Sequence, residues 1–382
     1  MRESELVVDL NALRHNYQFL KSLLYKDAFY CPMVKADAYG MGANAVVKCL
    51  YQKEQCHSFG VALIKEGISL RNHVAGDFQI LVFSNFKSGD LALYEKYNLT
   101  PVVSCFEELK FLKKYNWSLP FHIKYNLGIN RLSSLKPSDT EAIIEILKNS
   151  PKLNLESVCS HMSHAEYALS ENSNNYDRAI ENFGTIKKLW SSYNKNIFFH
   201  LFNSAGLIGE SQKQSPLKVG ARVGLSLYGV APDFINSKLT QFAEENLKPV
   251  FQCRSKIIRT HHLQKNEGTS YGWSWVAERE SRIGVIPLGY ADGLKRSLSN
   301  KYSVWINDVE VPLVGTICMD YCMVDLTELS QKEGIGSDVL FFSPDKLKIL
   351  SIKKMAKASH SIPYEIMTGW GGRLQRTYIG ET

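Results

Sequence analysis

The chain has 382 residues, of which 45% are hydrophobic and 22% charged, as in a soluble globular protein, and the length suggests two domains with full cores. Its formal charge of +7 includes no block of like charges, which suits an anionic small ligand better than nucleic acid. No apolar run approaches a membrane span.

The start, Met1-Arg2-Glu3-Ser4-Glu5, lacks the basic and then apolar layout of a signal peptide. Apolar or β-branched runs then recur at Tyr30–Val34, Phe59–Leu63, Gln79–Phe83, Thr100–Ser104, Pro120–Lys124, Leu155–Ser160, Ile197–Phe202 and Val219–Val223. Between them Ala43–Tyr51, Glu66–Val74, Asp90–Tyr97, Phe106–Tyr115, Thr140–Leu147 and Tyr176–Leu189 read as helices, most with apolar residues at three- and four-residue spacing. Eight buried strands alternating with helices predict an α/β fold of the closed (β/α)8 TIM-type barrel kind. A doubly wound open sheet would alternate similarly, but no Gly-x-Gly-x-x-Gly follows the first strand.

Beyond Pro232 the texture changes. Asp233–Lys248, bounded by Pro232 and Pro249, reads as a polar, helix-like linker. Strands are then expected at Val250–Ile258, Arg282–Pro287, Tyr302–Ile306, Val309–Val314, Met323–Leu326 and Asp338–Phe342, with Asn307-Asp308 as one hairpin turn. Ile352–Ser359 reads as a helix, and the alternation of Lys346, Lys348, Lys353, Lys354 and Lys357 with apolar residues suggests a solvated basic face. The expected division is residues 1–240 as the barrel and 241–382 as a smaller, mostly β domain, with the first strand free to join the latter. Eight scattered cysteines without metal-type spacing read as the reduced thiols of a cytoplasmic protein.

Chemistry in such barrels collects at the C-terminal ends of the strands. Lys35 ends the first strand here, Lys124 the fifth (with Arg131 after it), His161 the sixth, Asn203-Ser204 the seventh and Arg222 the eighth. Lys35 alone reads as a lysine snorkelling to solvent. A buried lysine at that address, however, has a lowered pKa and a nucleophilic amine that can form a Schiff base. His161 and His164 point in divergent directions from a strand end, which argues against a metal pair. Ser204, and Gly224 with Leu225, offer hydroxyl and backbone donors to a phosphate. Amine, phosphate cradle and arginine together match pyridoxal 5′-phosphate.

The segment Val34–Gly42 resembles the cofactor-lysine motif of bacterial alanine racemases. The resemblance continues in order through His122–Leu132, Asn203-Ser204-Ala205, Arg222–Gly229, Ser270-Tyr271-Gly272, Gly289–Gly293, Gly315–Asp320 and Pro363-Tyr364-Glu365, covering essentially the whole chain. It implies that Lys35 anchors the cofactor and serves one face of the substrate Cα. Tyr271, from the other subunit of a homodimer, would be the base on the opposite face. It further implies Tyr39, Ser204, Tyr364 and the amides of Gly224 and Leu225 on phosphate, and Arg222 at the pyridine nitrogen. His161 would link Tyr271 to Arg222. Arg131 and the backbone at Met319 would hold the substrate carboxylate, Tyr290 would narrow the entrance, and Lys124 would correspond to a lysine that is often carbamylated. Tyr228, His164 and His200 read as packing residues.

Asp37, Met41, Asn126-Leu127 and Pro363 depart from the family's commonest residues and bear on pocket shape. The implied reaction is interconversion of L- and D-alanine. The alternatives are a racemase of other or broader specificity such as serine, a decarboxylase on the same scaffold, and a non-catalytic cofactor-binding barrel. Against the decarboxylase, Cys318 is followed by Met319 where those enzymes carry Cys-Asp. Against the lone barrel stands everything after Pro249.

Overall fold

The computed structural model describes residues 3–213, 217–307, 309–342 and 351–380. Met1 and Arg2, Asp308 of the expected turn, and Lys346 and Lys348 of the expected basic face lie outside them. The chain forms two compact units: Arg14–Ala38 with Ala43–Leu247, and Met1–Leu13 with Tyr39–Gly42 and Lys248–Thr382.

Strand β1 (Glu5–Asp9) belongs to the second unit. The first unit is built on β2 (Tyr30–Pro32), β3 (Ser58–Val61), β4 (Gln79–Val82), β5 (Thr100–Val103), β6 (Pro120–Lys124), β7 (Asn154–Cys159), β8 (Phe198–Phe202) and β9 (Gly220–Val223). All run parallel, in the order β2-β9-β8-β7-β6-β5-β4-β3. A parallel bridge between Met33 and Gly60, with Val34 N–H donating to the Gly60 carbonyl at 2.8 Å, joins the two ends into a barrel. Gly60 permits this seam, because a Cβ there would lie 2.5 Å from Met33 Sδ. The strands read as unbroken apolar runs because a parallel barrel is covered on both faces.

Helices follow the strands. Thr140–Lys148 shows why they stay there: Thr140, Ile143 and Leu147, spaced by three and four, are its buried stripe. The polar segment expected to be helix-like contains the helix Ser237–Asn246, which buries Leu239 and Ala243 within the first unit. Its polar composition hid two apolar anchors one helical turn apart.

The second unit continues with β10 (Phe251–Lys256), β11 (Arg259–Leu263), β12 (Gly268–Thr269), β13 (Trp275–Val276), β14 (Ser281–Ile286), β15 (Ser303–Ile306), β16 (Val309–Val314), β17 (Cys322–Asp325), β18 (Asp338–Phe342) and β19 (Gln375–Ile379). Among the described residues nine strands form one sheet in the order β11-β14-β17-β16-β15-β18-β10-β1-β19. The N-terminal strand is interior, antiparallel to β10 and parallel to β19. Lys353, Lys354 and Lys357 lie on the helix Ile352–Ala358, which buries Ile352, Met355 and Ala356. Among the described residues no helix is long and apolar enough to cross a membrane.

Candidate active site

In the barrel unit the expected residues arrive at the C-terminal ends of the strands. Lys35 stands half-buried after β2, Lys124 ends β6, half-buried His161 follows β7, and Arg222 is inside β9. Arg131 is exposed in the loop after β6. That loop is pinned by its own polar groups. Ser133 Oγ donates to the Lys124 carbonyl at 2.5 Å, and Asn126 Oδ1 accepts from Gly128 N–H and Asn130 N–H, both at 3.1 Å. Asn126 Nδ2 also donates to Asn130 Oδ1 at 2.8 Å, a bond an aspartate at that position could not make.

Ser204 opens the helix Ser204–Ser211, which Asn203 caps by accepting from Gly206 N–H at 2.8 Å. Its hydroxyl accepts from Gly224 N–H at 3.1 Å and Ser226 N–H at 3.3 Å. A helix N-terminus, a buried hydroxyl and converging amides are what a phosphate requires. Ser226 was not singled out from the sequence, where nothing marks one backbone amide over the next.

Lys124 and Arg222 are each 5% exposed. The Phe83 ring centroid lies 5.9 Å from Lys124 Nζ and 5.5 Å from the Arg222 guanidinium carbon, so one aromatic ring serves both cations. Burial pushes the Lys124 amine down to about 8; Arg222, Arg131 and Lys35 add to this and Cys159 opposes it. Lys35 is also held below its ordinary value, by burial first and then Arg131 and Arg222, with Glu66 opposing. Burial and the same four cationic side chains place His161 well below the usual histidine range. At neutral pH its imidazole is therefore uncharged and able to accept a hydrogen bond.

Arg222 donates through Nη1 to His200 Nδ1 at 2.6 Å and through Nη2 to the Ser160 carbonyl. Its action on His161 is electrostatic. His200 Nε2 is 2.9 Å from His122 Nδ1, and His122 Nε2 is 3.0 Å from Glu156 Oε2, which also accepts from Gln79 Nε2 at 2.6 Å. A guanidinium only donates, so His200 Nδ1 must accept. The tautomers follow in turn: His200 Nε2–H donates to His122, and His122 Nε2–H donates to the carboxylate. Burial opposes ionisation of Glu156, but the bonds from His122 and Gln79 hold its carboxyl below the usual range. The signal in the sequence was period-two spacing: His122 stands two before Lys124, and His200 alternates inward along β8.

Behind Lys35 the backbone is left-handed at Ala36 (φ 51°), Asp37 (φ 54°), Ala38 (φ 54°) and Tyr39 (φ 56°). Four such residues without a glycine cost roughly 1–2 kcal/mol each. Strain of this size persists only where surrounding contacts impose it.

In the β unit, the Tyr39 and Tyr364 rings lie 6.1 Å apart. Arg376 Nε donates to the Gly40 carbonyl at 2.8 Å and Tyr378 Oη to the Met41 carbonyl at 3.1 Å, so β19 holds the segment following Tyr39. Tyr271 and Met319 line one open pocket with Ser270, Cys318, Asp320 and Tyr321. Tyr271 is 74% exposed and Met319 52%. Tyr290 N–H donates to the Cys318 carbonyl at 3.0 Å and Ala291 N–H to the Met319 carbonyl at 3.1 Å. Gly289 allows this contact, since a Cβ there would lie 2.3 Å from the Met319 oxygen. Tyr228 is fully buried and donates to the Met33 carbonyl at 2.9 Å. Among the described residues no group of three or more His, Cys, Asp or Glu is placed to hold a metal.

A parallel barrel that gathers a pKa-lowered amine, a buried guanidinium and a phosphate-type cradle, in one chain with a mostly β unit, is the frame of a barrel enzyme. Residues 8–232 match the alanine racemase N-terminal domain and residues 250–378 the alanine racemase C-terminal domain; the chain belongs to the alanine racemase family, a family of isomerases. It is 33% identical to an alanine racemase of Thermodesulfovibrio yellowstonii over 382 residues, covering 98% of this chain and 97% of the relative. Among solved structures, alanine racemase from E. faecalis superposes with a TM-score of 0.87 at 26% identity, covering 99% of this chain and 98% of that one. Alanine racemase from Bartonella henselae, with covalently bound pyridoxal phosphate, gives 0.85 at 25% identity, covering 99% and 100%.

Proposed function

We propose that this chain is a pyridoxal 5′-phosphate-dependent alanine racemase working with two bases, Lys35 and a partner subunit's tyrosine equivalent to Tyr271. The observation that carries the reading is the convergence of Lys35, Lys124, Ser204 and Arg222 on one end of the barrel in a chain of this family.

The donor set fits the cofactor: the Lys35 amine for its aldehyde, Ser204 and the amides of Gly224 and Leu225 for its phosphate, and Arg222 for its pyridine nitrogen. Tyr39 and Tyr364 are proposed as further phosphate ligands. When bound, the cofactor withdraws electrons from the substrate Cα and makes its hydrogen acidic. Arg222 tempers that withdrawal, because a guanidinium offers an N–H without surrendering its proton. Weaker withdrawal favours prompt return of the proton to Cα over side reactions. Lys35 Nζ takes or returns the proton on one face, and its lowered pKa leaves neutral amine available for that task.

Tyr271 Oη does the same on the other face. A phenol is a weak acid, so Tyr271 needs an acceptor for its proton, and the uncharged imidazole of His161 is suited to be one. The 74% exposure of Tyr271 supports its delivery to a second copy of the chain, making a homodimer the active form. Arg131 and the backbone at Met319 would orient the substrate carboxylate, and Tyr290 would narrow the approach. Lys124, with an amine near 8, would react with carbon dioxide, and the resulting carbamate would give Arg131 an anionic partner. The test is incubation with a panel of L-amino acids and measurement of each D-enantiomer. D-Alanine as the main product is expected; amine release with loss of carbon dioxide would overturn the reading.

A further inference from the structure

We propose that Glu66 is the positioning residue for Lys35: its carboxylate clamps the peptide N–H of Ala36 and so holds the left-handed turn from which the Lys35 side chain departs. The inference rests on Lys35 being the cofactor lysine.

Glu66 lies in the first turn of the helix Ile64–His73, after the neighbouring barrel strand β3. Oε1 accepts from Ala36 N–H at 2.7 Å. Oε2 accepts from Ala62 N–H at 2.8 Å and Leu63 N–H at 2.9 Å. One carboxylate thus spans two strand ends, with one oxygen on the chain behind Lys35 and the other on the entry to its own helix. Charge-assisted bonds to backbone amides are among the stronger hydrogen bonds. The turn they meet runs through four consecutive non-glycine residues at positive φ. Two further bonds close it locally, Ala38 N–H to the Val34 carbonyl at 2.9 Å and Ala43 N–H to Asp37 Oδ1 at 2.8 Å. Neither of them holds Ala36, the first residue after Lys35. Glu66 does.

The carboxylate also has an electrostatic consequence. Lys35 interacts electrostatically with Arg131, Arg222, Lys124 and His161, which stand on or just after other barrel strands, and Glu66 opposes the cations among them. Its position therefore sets both where the amine points and how readily it takes up a proton.

Glu66→Gln separates clamp from fold. Glutamine serves a helix start nearly as well as glutamate, so its oxygen can keep Ala62 and Leu63 N–H while its NH₂ confronts Ala36 N–H, donor against donor. The holoenzyme should melt within a few degrees of wild type. Its dissociation constant for pyridoxal 5′-phosphate should rise about tenfold or more, the scale of one charge-assisted bond. The acid limb of kcat for D-alanine, whose proton Lys35 would take, should move to lower pH because a negative neighbour is gone. An unchanged dissociation constant with an unmoved acid limb overturns the role of Glu66. Borohydride trapping of the wild-type cofactor on a lysine other than Lys35 overturns the underlying cofactor assignment instead, so the two failures are distinguishable.

Discussion

Lys124, Ser204 and Arg222 in the barrel unit are each 5% exposed, whereas Tyr271, Met319, Tyr290 and Tyr364 in the β unit are 74%, 52%, 42% and 42% exposed. The barrel side bears the desolvation of several positive charges, which is costly unless hydrogen bonds and rings compensate. Its compensation is internal: Phe83 against both cations, and a line of donors and acceptors from Arg222 through His200 and His122 to Glu156. On the β side Tyr271, Met319 and Tyr321, all exposed, line one open pocket, and clustered exposed apolar groups are the kind of surface that binding partners cover. The pKa shifts of Lys35, Lys124 and His161 are therefore set among charges of one unit.

Breaking the barrel half should have the largest effect. Lys35→Ala is expected to lower alanine racemisation by about 10⁴-fold or more and to remove the visible absorbance of the bound cofactor; retention of both would contradict the assignment. Tyr271→Phe should cost about 10²–10⁴-fold, falling on proton removal from L-alanine far more than from D-alanine. Solvent isotope exchange into each enantiomer measures this, and equal loss in both directions would remove the division of labour. Arg131→Ala should raise KM for alanine by roughly 10- to 100-fold with a smaller change in kcat, the scale of a charged hydrogen bond. If kcat fell and KM held, Arg131 would not be a ground-state carboxylate ligand.

Two smaller effects sharpen the electrostatic half of the contrast. Only a neutral amine forms a carbamate, and the neutral share of Lys124 grows as the pH rises through about 8. Bicarbonate-dependent mass gain on Lys124 should therefore increase from about pH 7 to about pH 9, and a modification independent of pH would argue against this chemistry. For Glu156, the bonds from His122 and Gln79 hold the folded carboxyl below its ordinary value, against the effect of burial. It thus favours the folded state above that value, and the contribution disappears as the pH falls through the lower folded pKa. Glu156→Gln should flatten the acid limb of the urea midpoint, whereas a limb identical to wild type would show that the histidine line ends without a charge.

The eight barrel strands were legible because each is a short apolar run between turn-forming residues, and a parallel barrel buries both faces of every strand. The strand-end lysines and arginines were legible for the same reason, since the strand ends locate them. Strands β1, β11 and β19 were harder. β11 and β19 are sheet edges with no fully buried side chain, and β1 finds its partners, β10 and β19, some 245 and 370 residues away along the chain. Short-range periodicity carries no record of such pairing.

Residue type and order by themselves determined the barrel, the family and the identity of Lys35, Arg222 and Tyr271 as candidates. Only tertiary structure decided that hydrogen bonds through His200 and His122 link Arg222 to Glu156, and that Glu66 accepts from Ala36 behind Lys35. A hydrogen bond depends on where two groups end up in space, and these groups are brought together from separate strands by closure of the barrel. Sequence states which groups exist; the fold decides which of them meet.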